Sequence, residues 1–208
     1  MLLIDHVVLG VRDLEDAGRR MLERHGLGSV PGGRHHGWGT ANSIVPLGPA
    51  YVELVAVVDE AEAQASDFGR RVAAGVTGGD RLLAWCVATP DIETVAERLG
   101  LEVTAGSRLR PDGTTLRWRS AGSDVALHRR FLPFFISWEV PDDLHPGRAS
   151  AKHGTAPLGI SWIEVSGSGA ELEDWLGRER LPVRVSDGAE DIVAAVIATD
   201  AGDVRLTG

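Results

Sequence analysis

The sequence predicts an α+β fold made of two βαβββ units in tandem that form a paired cleft, with a shorter third unit of the same kind at the C-terminus. Three observations carry this. Short apolar runs rich in β-branched residues, 43–47 and 51–58 above all, read as neighbouring strands. The order strand, helix, strand, strand, strand occurs over residues 1–58 and begins again over 82–140. A shift of 78 places Asp13-Leu14-Glu15 on Asp91-Ile92-Glu93 and Ile4 on Leu82, while a shift of 84 places Pro49-Ala50-Tyr51-Val52 on Pro133-Phe134-Phe135-Ile136.

Taken in order, residues 2–11 read as a strand. Asp13 is the N-cap of a helix whose apolar stripe, Ala17, Met21 and Leu22, ends at His25-Gly26. Residues 28–35 form a weaker extended segment. Residues 43–47 and 51–58 are strands joined by a turn at Gly48-Pro49. Residues 59–74, rich in alanine and charge, are expected to form one surface helix, and the glycines of 75–80 a linker, so that 59–81 separates the units. In the second unit, 82–89 is a strand and Pro90-Asp91 starts a helix stopped by Gly100. Residues 101–110 are extended, Pro111-Asp112-Gly113 is a hairpin turn, and 114–121 and 131–140 are strands. Residues 141–157 are a polar loop. Residues 158–208 repeat β-α-β-β-β in compressed form.

Composition narrows the function. A net charge of −9 and a pI near 5.2 argue against nucleic acid and anionic membranes as partners. The longest apolar stretch, 43–58, is broken by prolines, glycines and Glu53 and cannot span a bilayer. The single cysteine, Cys86, fits a reducing compartment, and residues 1–11 lack the charged start of a signal peptide, so a cytoplasmic protein is expected. The expected partner is a small-molecule substrate or ligand, and a homodimer is compatible with the reading.

Two polar residues interrupt apolar strands. Glu53 lies in the middle of 51–58, sharing a face with Tyr51, Val55 and Val57, and His6 shares a face with Ile4 and Val8. A buried carboxylate requires a partner, a proton or a metal. His6 and Glu53 are therefore the candidate catalytic pair, set against a plain buried hydrogen bond that does nothing further. Asn42, Tyr51, Trp38 and Trp138 are candidate substrate contacts, although the glycine-rich run 32–39, with His35 and His36, reads more simply as a solvated loop. Arg108, Arg110, Arg117, Arg119, Arg129 and Arg130 could wall a carboxylate or phosphate site, or form a solvated sheet face. Trp118, Phe134 and Phe135, with Trp38 and Trp138, suggest a ligand with an apolar or aromatic body.

Four residue groups resemble the vicinal oxygen chelate superfamily of glyoxalases, bleomycin-resistance proteins and extradiol dioxygenases, and within it the glyoxalase-like branch. They are Ile4-Asp5-His6-Val7-Val8 with Asp13-Leu14; Gly39-Thr40-Ala41-Asn42 with Tyr51-Val52-Glu53-Leu54; Leu132-Pro133-Phe134-Phe135-Ile136 with Trp138; and His145-Pro146 with His153-Gly154. The resemblance implies paired βαβββ units and a divalent metal held from the first and fourth strand of each. On that basis His6 and Glu53 occupy the first unit's ligand positions, while Ala84 and Ser137 occupy the second unit's and cannot serve; Cys86 would need a slip in register. The metal would be Zn, Mn, Fe or Ni, which such donors do not distinguish, completed by His128, His145 or His153; a cleft without metal is the alternative. The readings that follow are a metal-assisted lyase, isomerase or dioxygenase of unknown substrate, a metal-free enzyme using His6 and Glu53 as acid and base, and a protein that binds or sequesters a small molecule.

Overall fold

The computed structural model describes residues 1–110, 112–177 and 179–207. Pro111 of the expected hairpin turn lies outside them. The first half runs β1 (Leu3–Gly10), α1 (Leu14–His25), β2 (Val30–His35), β3 (Thr40–Pro46) and β4 (Tyr51–Val57). Asp13 caps α1 by accepting the amide of Asp16, and Gly26 ends it at φ 68°, a left-handed turn that glycine adopts without strain. The expected helix over 59–74 is two helices, α2 (Glu60–Ala65) and α3 (Asp67–Gly75). Ser66 breaks them: it stands in extended backbone, and its hydroxyl accepts the Gly69 amide as the cap of α3.

The second half runs β5 (Arg81–Ala88), α4 (Ile92–Leu99), β6 (Val103–Leu109), β7 (Thr115–Ala121), α5 (Ser123–His128) and β8 (Phe134–Trp138). Helix α5 is an addition that the sequence did not announce, and the strand expected over 131–140 is confined to Phe134–Trp138 because a turn precedes it. The third part is β9 (Pro157–Ser166), α6 (Gly169–Trp175), β10 (Val183–Ser186), β11 (Asp191–Thr199) and β12 (Gly202–Leu206).

Eight strands form one sheet in the order β2-β3-β4-β1-β5-β8-β7-β6, so the halves join where β1 runs antiparallel to β5. The sheet curls until its edge strands β2 and β6 approach, a Cβ at Gly33 falling 2.8 Å from Leu109 O, and Arg108 on β6 reaches past β2 to donate from Nη1 to Asn42 Oδ1 on β3 at 2.6 Å. Gly32 makes this closure fit, because a Cβ there would lie 2.1 Å from Asn42 Oδ1 and 2.4 Å from Arg108 Nη1.

Alternation along the strands divides the interior in two. Val7, Leu9, Val52, Leu54, Trp85, Val87 and Phe135 pack outward into the main core with Ala17 and Met21 of α1 and Ile92 and Val95 of α4. Val8, Val55 and Ala84 pack inward with Val72 of α3 and Phe134. The four-stranded sheet β10-β9-β11-β12 packs against the outer side, adding Ile163, Val165, Ile192, Ala195 and Ile197 to the main core. Asp191 fastens it, pairing with Arg81 at 3.0 Å and Arg130 at 2.8 Å. Residues 141–157 strap the first half, with Gly48 N bonded to Gly147 O at 2.9 Å and Gly154 N to Gly26 O at 2.7 Å. This strap delivers His145.

Candidate functional site

The concave side of the curled sheet encloses a cavity of about 320 Å³. His6 enters it from β1, Tyr51 and Glu53 from β4, Asn42 from β3, and His35 from the end of β2. The parallel register of β1 and β4 sets His6 opposite Tyr51 and Val8 opposite Glu53. The imidazole therefore stacks on the phenol ring, with centroids 4.5 Å apart at 18°, and its Nε2 lies 3.8 Å from Glu53 Oε2.

The other face of His6 is fixed by Asp5, which strand alternation alone would turn away from the cavity. The pairing of β1 with β5 slips between Ile4 and His6, a β-bulge that leaves Asp5 as the extra residue. Asp5 Oδ1 meets His6 Nδ1 at 2.6 Å, and Asp5 Oδ2 accepts Trp138 Nε1 at 2.9 Å and His145 Nε2 at 3.1 Å. Burial pushes the Asp5 carboxyl up, but the hydrogen bonds from His145 and His6 and their attraction outweigh this and hold it well below the ordinary carboxylate range. An ionised carboxylate accepts only, so Nδ1 of His6 carries a proton toward Asp5, and Nε2 is the nitrogen turned toward Glu53. His145 is fixed in the opposite tautomer, since its Nδ1 accepts the Gly147 amide at 3.1 Å.

Glu53 is held from its other oxygen. The Asn42 amide donates to Glu53 Oε1 and approaches His35 Nε2 at 3.3 Å, while His35 Nδ1 meets Thr40 Oγ1 at 2.9 Å. Burial lowers the pKa of His35, so it is neutral near pH 7 and accepts at Nε2. With Arg108 on its oxygen, Asn42 has both donors and its acceptor committed within the protein. It positions Glu53 and is not free to hold a substrate oxygen, as the sequence suggested.

The remaining wall is aromatic. Trp38 packs on Phe68 at 5.2 Å, and Trp118 on Trp138 at 5.6 Å, with Phe134 between the halves. The arginine wall reduces to Arg108. Arg119 pairs with Glu93 and Glu139, Arg129 with Glu171 and Glu190, and Arg130 with Asp191, while Arg110 lies 3.7 Å from Asp112. Arg117 is exposed and does not line the cavity. Of the loop histidines, His128 bonds its own helix at Asp124 O, His153 accepts the Gly28 amide, and His145 serves Asp5. None of them meets Glu53. Besides His6, the imidazole that does is His35, whose Nε2 lies 3.6 Å from Glu53 Oε1.

The resemblance implies a divalent metal, and the donors present depart from the set it would need. In the second half Ala84 stands at the position of His6, as expected. The counterpart of Glu53 is Phe134 and not Ser137: Val8 pairs with Glu53 on β4, and Cys86, 78 residues after Val8, pairs with Phe134 on β8. Ser137 follows the opposite parity to Phe134, Ile136 and Trp138, which line the cavity. Two of four donors are thus a methyl and a phenyl group. The atoms of Asp5, His6 and Cys86 do lie within 4.8 Å of one another. That cluster is poorly suited, because Asp5 already accepts three N–H groups, His6 offers it only Nδ1–H, and burial pushes the Cys86 thiol well above its usual pKa. The residues present do not fit the four-ligand metal of the superfamily.

Among the described residues, no helix is long and apolar enough to cross a membrane. No curated protein matches the chain. Among solved structures, a hypothetical protein from Staphylococcus aureus is similar over 99% of this chain and 98% of its own, at 16% identity and a TM-score of 0.71, which establishes a shared fold. Methylmalonyl-CoA epimerase from Mycobacterium tuberculosis is similar over 66% of this chain and 88% of its own, at 18% identity and a TM-score of 0.46. A Streptomyces coelicolor methylmalonyl-CoA epimerase variant in complex with 2-nitronate-propionyl-CoA is similar over 66% and 97%, at 16% identity and 0.47. The sequence pattern of the glyoxalase-like domain matches residues 4–180. The chain belongs to the glyoxalase-like domain family.

Proposed function

We propose that the cavity is the active site of an enzyme of the isomerase or lyase type that moves a proton on a small organic molecule, with His6 and Glu53 as the proton carriers. The observation that supports this best is Nε2 of His6, aimed at Glu53 across 3.8 Å while Asp5 holds Nδ1 from behind. Asp5 fixes the tautomer and stabilises the imidazolium formed when Nε2 takes a proton. A C–H beside a carbonyl, seated against both groups, would give its proton to one of them and leave its electron pair in an enolate. Return of that proton to a neighbouring carbon on the same face gives an isomer; departure of a β-substituent with its bonding electron pair gives a lyase product. Tyr51, kept a neutral phenol because burial raises its pKa, holds the imidazole plane by stacking.

The test is deuterium wash-in from D2O at the carbon beside the carbonyl, followed by NMR for a panel of 2-oxo acids, ketones and thioesters. Wild type should label at least one class, and Glu53→Gln should bind that compound while losing labelling by roughly a hundredfold or more. Labelling by the variant at the wild-type rate would remove Glu53 from the chemistry. A wild type that binds a compound tightly and labels nothing would turn the reading toward sequestration.

A further inference from the structure

Arg108 is the residue whose placement the acid–base reading leaves unexplained. On β6 the alternation is inverted: Leu109 is 58% exposed while its neighbour Arg108 is only 6% exposed. Burying an arginine and exposing a leucine one position along costs free energy, unless the guanidinium has a task inside. Among the described residues Arg108 forms no ion pair. Its one hydrogen bond is Nη1 to the neutral Asn42 Oδ1, at 2.6 Å, and it lines the cavity. Its stem lies against Gly33, where a Cβ would come within 3.2 Å of both Cγ and Cδ, so the head is held in place rather than free to swing out.

Asn42 accounts for the missing ion pair. Its oxygen takes Arg108 and its amide takes Glu53, so the guanidinium and the carboxylate are held apart by the length of one amide. Had they been allowed to touch, they would have neutralised each other. The arrangement leaves an unneutralised cation, with Nε and Nη2 still unpartnered, about one functional group away from the proton carriers.

We infer that Arg108 is the anchor for a substrate carboxylate, and that the substrate is a small monocarboxylic acid with an apolar or aromatic body and its reactive carbon close to the acid group. This rests on the acid–base reading of the same cavity. The Nε–Nη2 edge of a guanidinium matches a carboxylate with two parallel hydrogen bonds. Glu53 and Asp124 also line the cavity, so a dianion such as a phosphate meets more repulsion than a monoanion does. Trp118, Trp138 and Phe134 supply the apolar wall for the body. A cavity of about 320 Å³ lies at the small end of ligand sites.

The test uses phenylacetate, its neutral isostere phenylacetamide, and phenyl phosphate, titrated against the quenching of tryptophan fluorescence. Wild type should bind phenylacetate at least tenfold more tightly than the amide. Arg108→Gln should abolish that preference, losing roughly ten- to a hundredfold on the acid alone. Arg108→Lys, which keeps the charge without the fork, should keep part of it, and thermal melts of both variants establish that they fold. Equal binding of acid and amide by wild type, absence of binding by either, tighter binding of the phosphate, or a preference that survives in folded Arg108→Gln would each overturn the inference. The two readings fail separately. An acid preference without any deuterium labelling would sink the proton-transfer reading alone; labelling of neutral ketones with no acid preference would sink the anchor alone.

Discussion

The two halves of the eight-stranded sheet share a topology and divide the work. The half from β1 to β4 contributes His6, Asp5, Glu53, Asn42 and His35, bound to one another in hydrogen-bonded chains. The half from β5 to β8 contributes Ala84, Phe134, Ile136, Trp118 and Trp138 to the same cavity, and one cation, Arg108. At the positions where the first half has a histidine and a glutamate, the second has a methyl and a phenyl group. A duplicated frame can thus keep polar chemistry on one side of a pseudo-twofold axis and turn the other into a wall that holds the ligand.

If this division is right, changes in the two halves should differ in kind. The largest effect should come from Glu53→Gln, a fall of roughly a hundredfold or more in turnover of any substrate found, with the melting temperature little changed. A steady-state assay beside a thermal melt checks it.

Next comes Asp5→Asn, which replaces a carboxylate that accepts three N–H groups by an amide with one acceptor oxygen. It should cost about 3–5 kcal/mol of stability, measured by urea unfolding. It should also alter the pH dependence. Asp5 has a depressed pKa in the folded state, so its contribution is present above the unfolded value of 3.8 and is lost as pH falls below it. His35, also depressed but a base, resists the proton that the unfolded chain binds near 6.5, so wild-type stability should already decline as pH falls through that value. In Asp5→Asn the decline below pH 4 should flatten while the one near 6.5 stays. In His35→Gln the reverse should hold.

Gly32→Ala puts a methyl into the contact between Asn42 and Arg108. It should cost about 1–3 kcal/mol by overpacking and weaken ligand binding, read by the same melts and titrations. The smallest effect expected is that of Trp118→Leu in the second half. It should raise KM by about tenfold through lost aromatic contact and leave kcat within about twofold. A kcat loss equal to that of Glu53→Gln would erase the distinction between the halves.

Much of the frame was legible in the chain. Asp13 and Asp91 cap helices where expected, the strands fall within a few residues of their apolar runs, and the glycine-led stops hold. His6 and Glu53 stood out because each is a polar residue inside an apolar strand. What stayed hidden was hidden for physical reasons. Asp5 lay behind a β-bulge, which alternation cannot foresee, and so appeared to face away. His35 sat in a glycine-rich run that reads as a solvated loop, although only 36–39 forms the turn and His35 itself belongs to β2. Arg108 was one of six arginines, and nothing local marks it as the one turned inward; the approach of β6 to β2, which brings it to Asn42, does. The match of Glu53 with Ser137 came from aligning the Pro-led starts of two strands, whereas hydrogen-bonded register selects Phe134.

The claim on which all of this depends is the tautomer of His6, and 15N NMR of selectively labelled histidine reads it without knowledge of any substrate. The structure predicts that Nδ1 keeps a proton toward Asp5, so that Nε2 is the nitrogen that gains and loses one, an assignment that Asp5→Asn turns into a mixture of tautomers. A wild-type signal with Nδ1 bare and the proton on Nε2 would mean that His6 cannot take a proton toward Glu53, and the acid–base assignment would be wrong.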